Sequence, residues 1–136
     1  MNKIKVYYLD VEHAKAPEIV EIDNETNDDL YRLLNCSCID VTRRSFGGKE
    51  FLVIVDDVGA LKKDRKLSVY GFNVYDRVYG NIIIANQDGE DLGSITDIDL
   101  IRLNNCVCRY VTDKAYNVLM VDGIKTFYKR DNETKN

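Results

Sequence analysis

Hydrophobic and polar positions change period several times along the chain, and each change marks an element. Ile4–Leu9 (IKVYYL) concentrates β-branched and aromatic residues and predicts a first strand. Glu12–Pro17 interrupts it with a loop holding the only His and the only Pro. Glu18–Ile22 then alternates polar with apolar, as a strand with one wet face does. Thr26 stands where a helix cap is expected, Asp29 completes an approximate capping box, and Leu30, Leu33 and Leu34 make one apolar stripe. From Cys38 to Phe46 the pattern is extended, Gly47-Gly48 marks a turn, and Phe51–Val55 is a continuous apolar run suited to a central strand. Asp56–Lys66 is polar enough for an exposed loop.

The second half repeats the sequence of periods. Between Leu67 and Gly80, Asn73 is placed to cap a short helix over Asn73–Tyr79, with Val74/Val78 and Tyr75/Tyr79 on neighbouring stripes. Ile82–Ala85 reads as a strand and Gln87–Gly93 as a solvated turn, since it lacks the calcium-loop spacing. Thr96 caps a second helix with Asp99 in the place of Asp29. Arg109–Thr112 is extended, Asn117–Val121 is expected to pair with Ile124–Tyr128 across Asp122-Gly123, and Lys129–Asn136 is a charged tail.

This recurrence is a duplication. Asp29–Thr42 (DLYRLLNCSCIDVT) returns as Asp99–Thr112 (DLIRLNNCVCRYVT), seventy residues on, with nine of fourteen positions identical. Extended outwards, the repeat spans residues 17–57 and 81–123, each a strand, a helix and two strands. Two such units are expected to meet about a pseudo-twofold axis and share one core. The expected fold is α+β: a mostly antiparallel sheet of about seven or eight strands and two capped helices.

Composition bounds the class. A chain of 136 residues with 45% hydrophobic and 31% charged residues fits one soluble domain with a real core. Nineteen basic against twenty-three acidic residues give −4, too little to argue for nonspecific nucleic-acid binding. No apolar run approaches the ~20 residues of a membrane span, and the N-terminus lacks the apolar core of a signal peptide, so a cytoplasmic place is expected.

All four cysteines lie inside the duplicated motif, as Cys36-x-Cys38 and Cys106-x-Cys108. If the copies meet, four thiolates could close a zinc site; against it, C-x-C is not the usual C-x₂₋₄-C spacing, and small apolar Cys packs well on one strand face. His13 sits among Glu12, Lys15 and Glu18 without a partner for a triad. Asp56-Asp57 are adjacent and so point to opposite faces of a strand. There is no Gly-rich phosphate loop, no paired His and no G-x-S-x-G, so neither catalysis nor a cofactor is expected. Candidate binding residues are Arg43, Arg44 and Lys49 around the glycine turn, and Tyr70, Tyr75 and Tyr79 with Asn73 between them.

The series IVDDVG at Ile54–Gly59, Asn73, YGNIIIA at Tyr79–Ala85 and SITDIDL at Ser94–Leu100 resembles an uncharacterised family of small proteins carried by phages and conjugative elements of gut bacteria and Firmicutes. Cys replaces the small residues, often glycines, usual in that family's first helix-to-strand turn, which favours packing over metal. The resemblance implies an accessory protein of a mobile element, acting in a bacterial host cell. It makes inhibition of a host defence protein, for example a CRISPR effector, the most economical function, with Asp88, Glu90 and Asp91 facing a basic groove. A second reading is sequestration of a nucleotide signal, with tyrosines stacking the base and Arg43, Arg44 or Lys49 taking phosphates. A third is a scaffold or regulatory module. A second copy of the chain, meeting through the tyrosine stripe, is a further candidate partner.

Overall fold

The computed structural model describes residues 3–71, 74–111 and 114–122. Among them the chain runs β1 (Lys3–Leu9), β2 (Glu18–Asp23), α1 (Asp28–Leu34), β3 (Ile39–Phe46), β4 (Lys49–Asp56), β5 (Leu67–Tyr70), β6 (Val78–Tyr79), β7 (Ile82–Asp88), β8 (Asp91–Gly93), α2 (Asp97–Asn104), β9 (Val107–Val111) and β10 (Ala115–Met120). Single 3₁₀ turns lie at Gly59–Leu61 and Val74–Asp76. Asn73, the strand expected at Ile124–Tyr128 and the charged tail lie outside the described residues.

The fold is α+β, as the alternation of periods predicts, but the described residues form ten strands in two sheets rather than seven or eight in one. The larger sheet has the order β2-β1-β7-β4-β3, with β8 folded back on β7, and every pair in it is antiparallel. The smaller has the order β6-β5-β10-β9 and contains the one parallel pair among the described strands, β5 with β10. Gln87–Gly93, expected as a solvated turn, is the β7–β8 hairpin, in which Asp88 opposes Asp91. The helix expected over Asn73–Tyr79 is only the turn Val74–Asp76 before β6, so its two side-chain stripes do not form.

Three strands with continuous apolar runs, β1, β4 and β7, fill the middle of the larger sheet because both of its faces are covered. Alternate residues go to opposite sides. Tyr7, Leu9, Phe51, Val53, Ile82 and Ile84 enter a large cluster with the smaller sheet and Leu103 of α2. Val6, Tyr8, Leu52, Ile54, Ile83 and Ala85 enter a second cluster closed by Leu30 and Leu34 of α1. The copies therefore build two interiors rather than one, each drawing residues from both copies, and α1 and α2 lie on opposite faces of the larger sheet.

The secondary structure of the repeat does recur, each copy giving a helix and then an antiparallel hairpin, β3–β4 and β9–β10. Their placement differs. The first hairpin pairs with β7 in the larger sheet, whereas the second pairs with β5 in the smaller one. The helices are also rolled differently about their axes. In α1 the buried residues are Leu30 and Leu34; in α2 they are Asp99 and Leu103, and the counterpart of Leu34, Asn104, faces out.

Candidate functional site

Helix α2 is held at both ends. Thr96 has an extended backbone and its hydroxyl accepts from the Asp99 amide at 3.1 Å, while the Asp99 carboxylate accepts from the Thr96 amide at 3.1 Å, closing a capping box. The same carboxylate takes Lys49 Nζ at 2.8 Å and Asn86 Nδ2 at 2.7 Å. Burial alone would raise the pKa of Asp99, but the donors from Lys49, Asn86 and Thr96 outweigh it and hold the carboxyl down at about 2. At the other end Arg102 Nη1 donates to the Gly47 carbonyl at 2.8 Å, and the buried Tyr7 hydroxyl donates to Asn104 Oδ1 at 2.8 Å.

The β3–β4 turn is the clamp on this helix. Gly47 and Gly48 both have positive φ, 61° and 84°, the requirement of a two-residue hairpin turn. A Cβ at Gly47 would lie 3.1 Å from Arg102 Cβ, so the glycine also lets the helix approach. Gly48 N donates to Asp122 Oδ2 at 2.7 Å, and Asp122 N to the Ser45 carbonyl at 2.9 Å. The turn is thus docked on the second copy.

What α2 turns outward is apolar. Ile98 is 64% and Ile101 63% exposed, one turn apart on the face opposite Asp99 and Leu103. The same places in α1 hold Asp28 and Tyr31. Since α1 forms without isoleucines there, the helix–hairpin unit does not need them. Asp97 beside the pair is exposed, as are the acids Asp88, Glu90 and Asp91 of the β7–β8 hairpin. Asn86 ties that hairpin to the start of α2 by donating to both Asp99 and the Ser94 carbonyl.

The helices differ at their caps. The residue before α1 is Asn27, without a side-chain cap; Thr26 accepts only a 3.4 Å bond from the Asp28 amide, and Asp29 accepts instead from the Asp23 amide at 2.8 Å. Thr26 is therefore not the cap its sequence context predicts. The chain approaches from β2 at an angle that gives the acid a closer donor.

The expected basic tip does not assemble. Arg43 and Arg44 leave opposite faces of β3; Arg43 makes an exposed pair with Glu50 at 3.6 Å, and Lys49 is committed to Asp99. Arg44 instead reaches the turn at Val74–Asp76, donating to the Asp76 carbonyl at 3.2 Å and the Tyr75 carbonyl at 3.3 Å. The tyrosines are separated: Tyr70 is half-buried under the Arg77 guanidinium at 5.0 Å, Tyr79 is half-buried under that of Arg65 at 4.3 Å, and Tyr75 is 86% exposed. Ile98, Ile101 and Arg77 carry no motif in the sequence. The one available signal was the mismatch between Ile98 and Asp28 at equivalent places of the repeat.

The polar loop expected at Asp56–Lys66 is exposed over most of its length and lines clefts. Lys62 Nζ pairs with buried Asp56 at 2.6 Å, and a cleft of about 430 Å³ opens beside it, lined by Glu12, Asn35, Lys63, Arg65 and Gly80 among others. His13 is held by Asp10, with Nδ1 2.8 Å from the carboxylate.

The cysteines fall on both sides of the larger sheet. Cys36 packs half-buried against the cluster under α1, and burial first, then the Asp56 charge, pushes its thiol up. Cys106 is buried in the other cluster, Cys108 lies half-buried with its sulfur 2.9 Å from that of Met120, and Cys38 is exposed. The four sulfurs do not converge. No group of three or more metal-binding side chains occurs among the described residues.

These features define an α+β protein in which a helix followed by an antiparallel hairpin occurs twice, and the second, clamped helix exposes two isoleucines. Helices long and apolar enough to cross a membrane are absent among the described residues. The chain belongs to the family described as Domain of unknown function (DUF3846), whose model matches residues 4–105. That match takes in the whole larger sheet and both helices and stops short of β9 and β10. No curated protein and no solved structure matches the chain.

Proposed function

We propose that this protein is a non-enzymatic binding protein of a phage or other mobile element, and that it inhibits a host defence component by docking α2 into a groove of that protein. The supporting observation is Ile98 and Ile101. Two large aliphatic side chains more than half exposed lose hydration free energy for no packing gain, on a helix whose duplicate does without them. The anchors at Thr96, Asp99, Arg102 and Asn104 pre-organise the helix, which removes ordering entropy from association. The partner groove is apolar with a basic rim, because Asp97 adjoins the pair and the hairpin that Asn86 ties to the start of α2 carries exposed Asp88, Glu90 and Asp91.

The test pairs capture with variants. A host protein retained from lysate by the wild-type chain should be lost with Ile98→Asp and with Ile101→Asp, kept with Asp28→Lys on the other helix, and released as salt rises. The same two variants should abolish protection of a defence-sensitive phage in a plating assay. Retention of the protein by both isoleucine variants would remove α2 as the surface.

A further inference from the structure

A second surface, on the far side of β3 from Arg43, carries charge that the fold does not neutralise. Arg44 and Arg77 line a cleft of about 150 Å³ with Thr42, Asp56, Asp57 and Tyr79. Arg77 Nε is buried and finds no hydrogen-bond partner, while its guanidinium lies 5.0 Å over the Tyr70 ring. Arg44 is fixed by three bonds, all to neutral carbonyls: those of Arg43 at 2.7 Å, Asp76 at 3.2 Å and Tyr75 at 3.3 Å. Neither guanidinium has a carboxylate partner within 4.0 Å among the described residues, since Asp56 is taken by Lys62 and by the Val58 amide.

A covered donor of a charged group left unpaired is destabilising unless something occupies it. We propose that Arg44 and Arg77 form a binding site for one phosphoryl group of a nucleotide. Two planar guanidiniums can each donate a pair of parallel hydrogen bonds to phosphate oxygens, a geometry a single lysine cannot offer. Size sets the limit. Sites that enclose a whole small molecule span roughly 300–1,000 Å³, so a cleft of about 150 Å³ takes a group and leaves the rest of the ligand outside. Outside it stands Tyr75, 86% exposed and joined through its carbonyl to Arg44, where an aromatic ring can stack a base. Asp57 is the opposing charge. The site is remote in sequence and chemistry from the α2 surface, so either can fail while the other stands.

Isothermal titration of the full chain at low ionic strength tests this with AMP, inorganic phosphate, adenosine and acetate as probes. AMP should bind, phosphate more weakly, and adenosine and acetate not measurably. Arg77→Lys should weaken AMP about tenfold or more, Asp57→Asn should tighten it a few-fold, and Arg43→Gln on the other face of the strand should change nothing. Tyr75→Ala should reduce AMP to the affinity of phosphate if the base stacks there. Because a variant at Arg77 could perturb folding, the gain with Asp57→Asn carries equal weight. Absence of AMP binding at millimolar concentration, equal binding of adenosine, or indifference to Arg77→Lys in a folded protein would overturn the proposal.

Discussion

Lys49 Nζ lies 2.8 Å from Asp99 Oδ1, joining the first hairpin of one copy to the helix of the other. The acid is almost completely covered, 3% exposed, whereas the lysine remains 39% exposed. Such a pair matters chiefly through what is left when one member goes, a buried carboxylate without its cation. Lys49→Met is expected to lose roughly 1–3 kcal/mol, below the 3–5 kcal/mol typical of a fully buried pair because solvent screens the exposed lysine. Chemical denaturation measures it.

The same carboxylate sets an acid limit on stability. Its folded value of about 2 lies below the ordinary 3.8, so its contribution is complete above that ordinary value and is lost as pH falls from about 4 towards 2. Asp99→Asn should flatten the fall in stability over this window, by roughly 2 kcal/mol relative to wild type. Denaturation midpoints at pH 6, 4 and 3 check the sign.

Matching threonines should behave differently. Thr96→Ala removes a formed capping box and is expected to destabilise by about 1 kcal/mol, whereas Thr26→Ala, whose hydroxyl accepts only a 3.4 Å bond, should change stability by under about 0.5 kcal/mol. Equal losses would mean that α1 is capped like α2.

Two separate clusters make their own prediction. Leu34→Ala and Leu103→Ala each empty space beside fully buried neighbours and should each lose roughly 2–5 kcal/mol. Because the two side chains lie on opposite faces of one sheet, the double variant should lose the sum within about 0.5 kcal/mol. Strong coupling in the double-mutant cycle would contradict separate interiors.

Thiol chemistry should rank by exposure. Cys38 is expected to react first with a thiol-specific reagent, Cys36 more slowly because burial holds its thiol protonated, and Cys106 only on unfolding. Reaction rates on single-cysteine variants measure the order.

The sequence by itself determined the element types and the repeat. Leu30, Leu33 and Leu34 at helical spacing, the apolar runs Phe51–Val55 and Ile82–Ala85, and the glycines at the hairpin turn are local signals, and local signals decide local conformation. It offered the same Thr-x-x-Asp capping box to both helices, at Thr26/Asp29 and Thr96/Asp99, and only the second forms. Tertiary structure decided which face each copy serves. Leu30 and Leu33 recur as Leu100 and Leu103, yet α1 buries the first of the pair and α2 the second, because one helix lies on the cluster around Leu52 and Ile83 and the other turns Asp99 to Lys49 and Asn86. Nothing near Lys49 in the chain announces Asp99, fifty residues away. Likewise Arg44 and Arg77 become neighbours, and Ile98 and Ile101 become a surface, only through the packing of two sheets: side-chain exposure is a property of what the rest of the chain leaves uncovered.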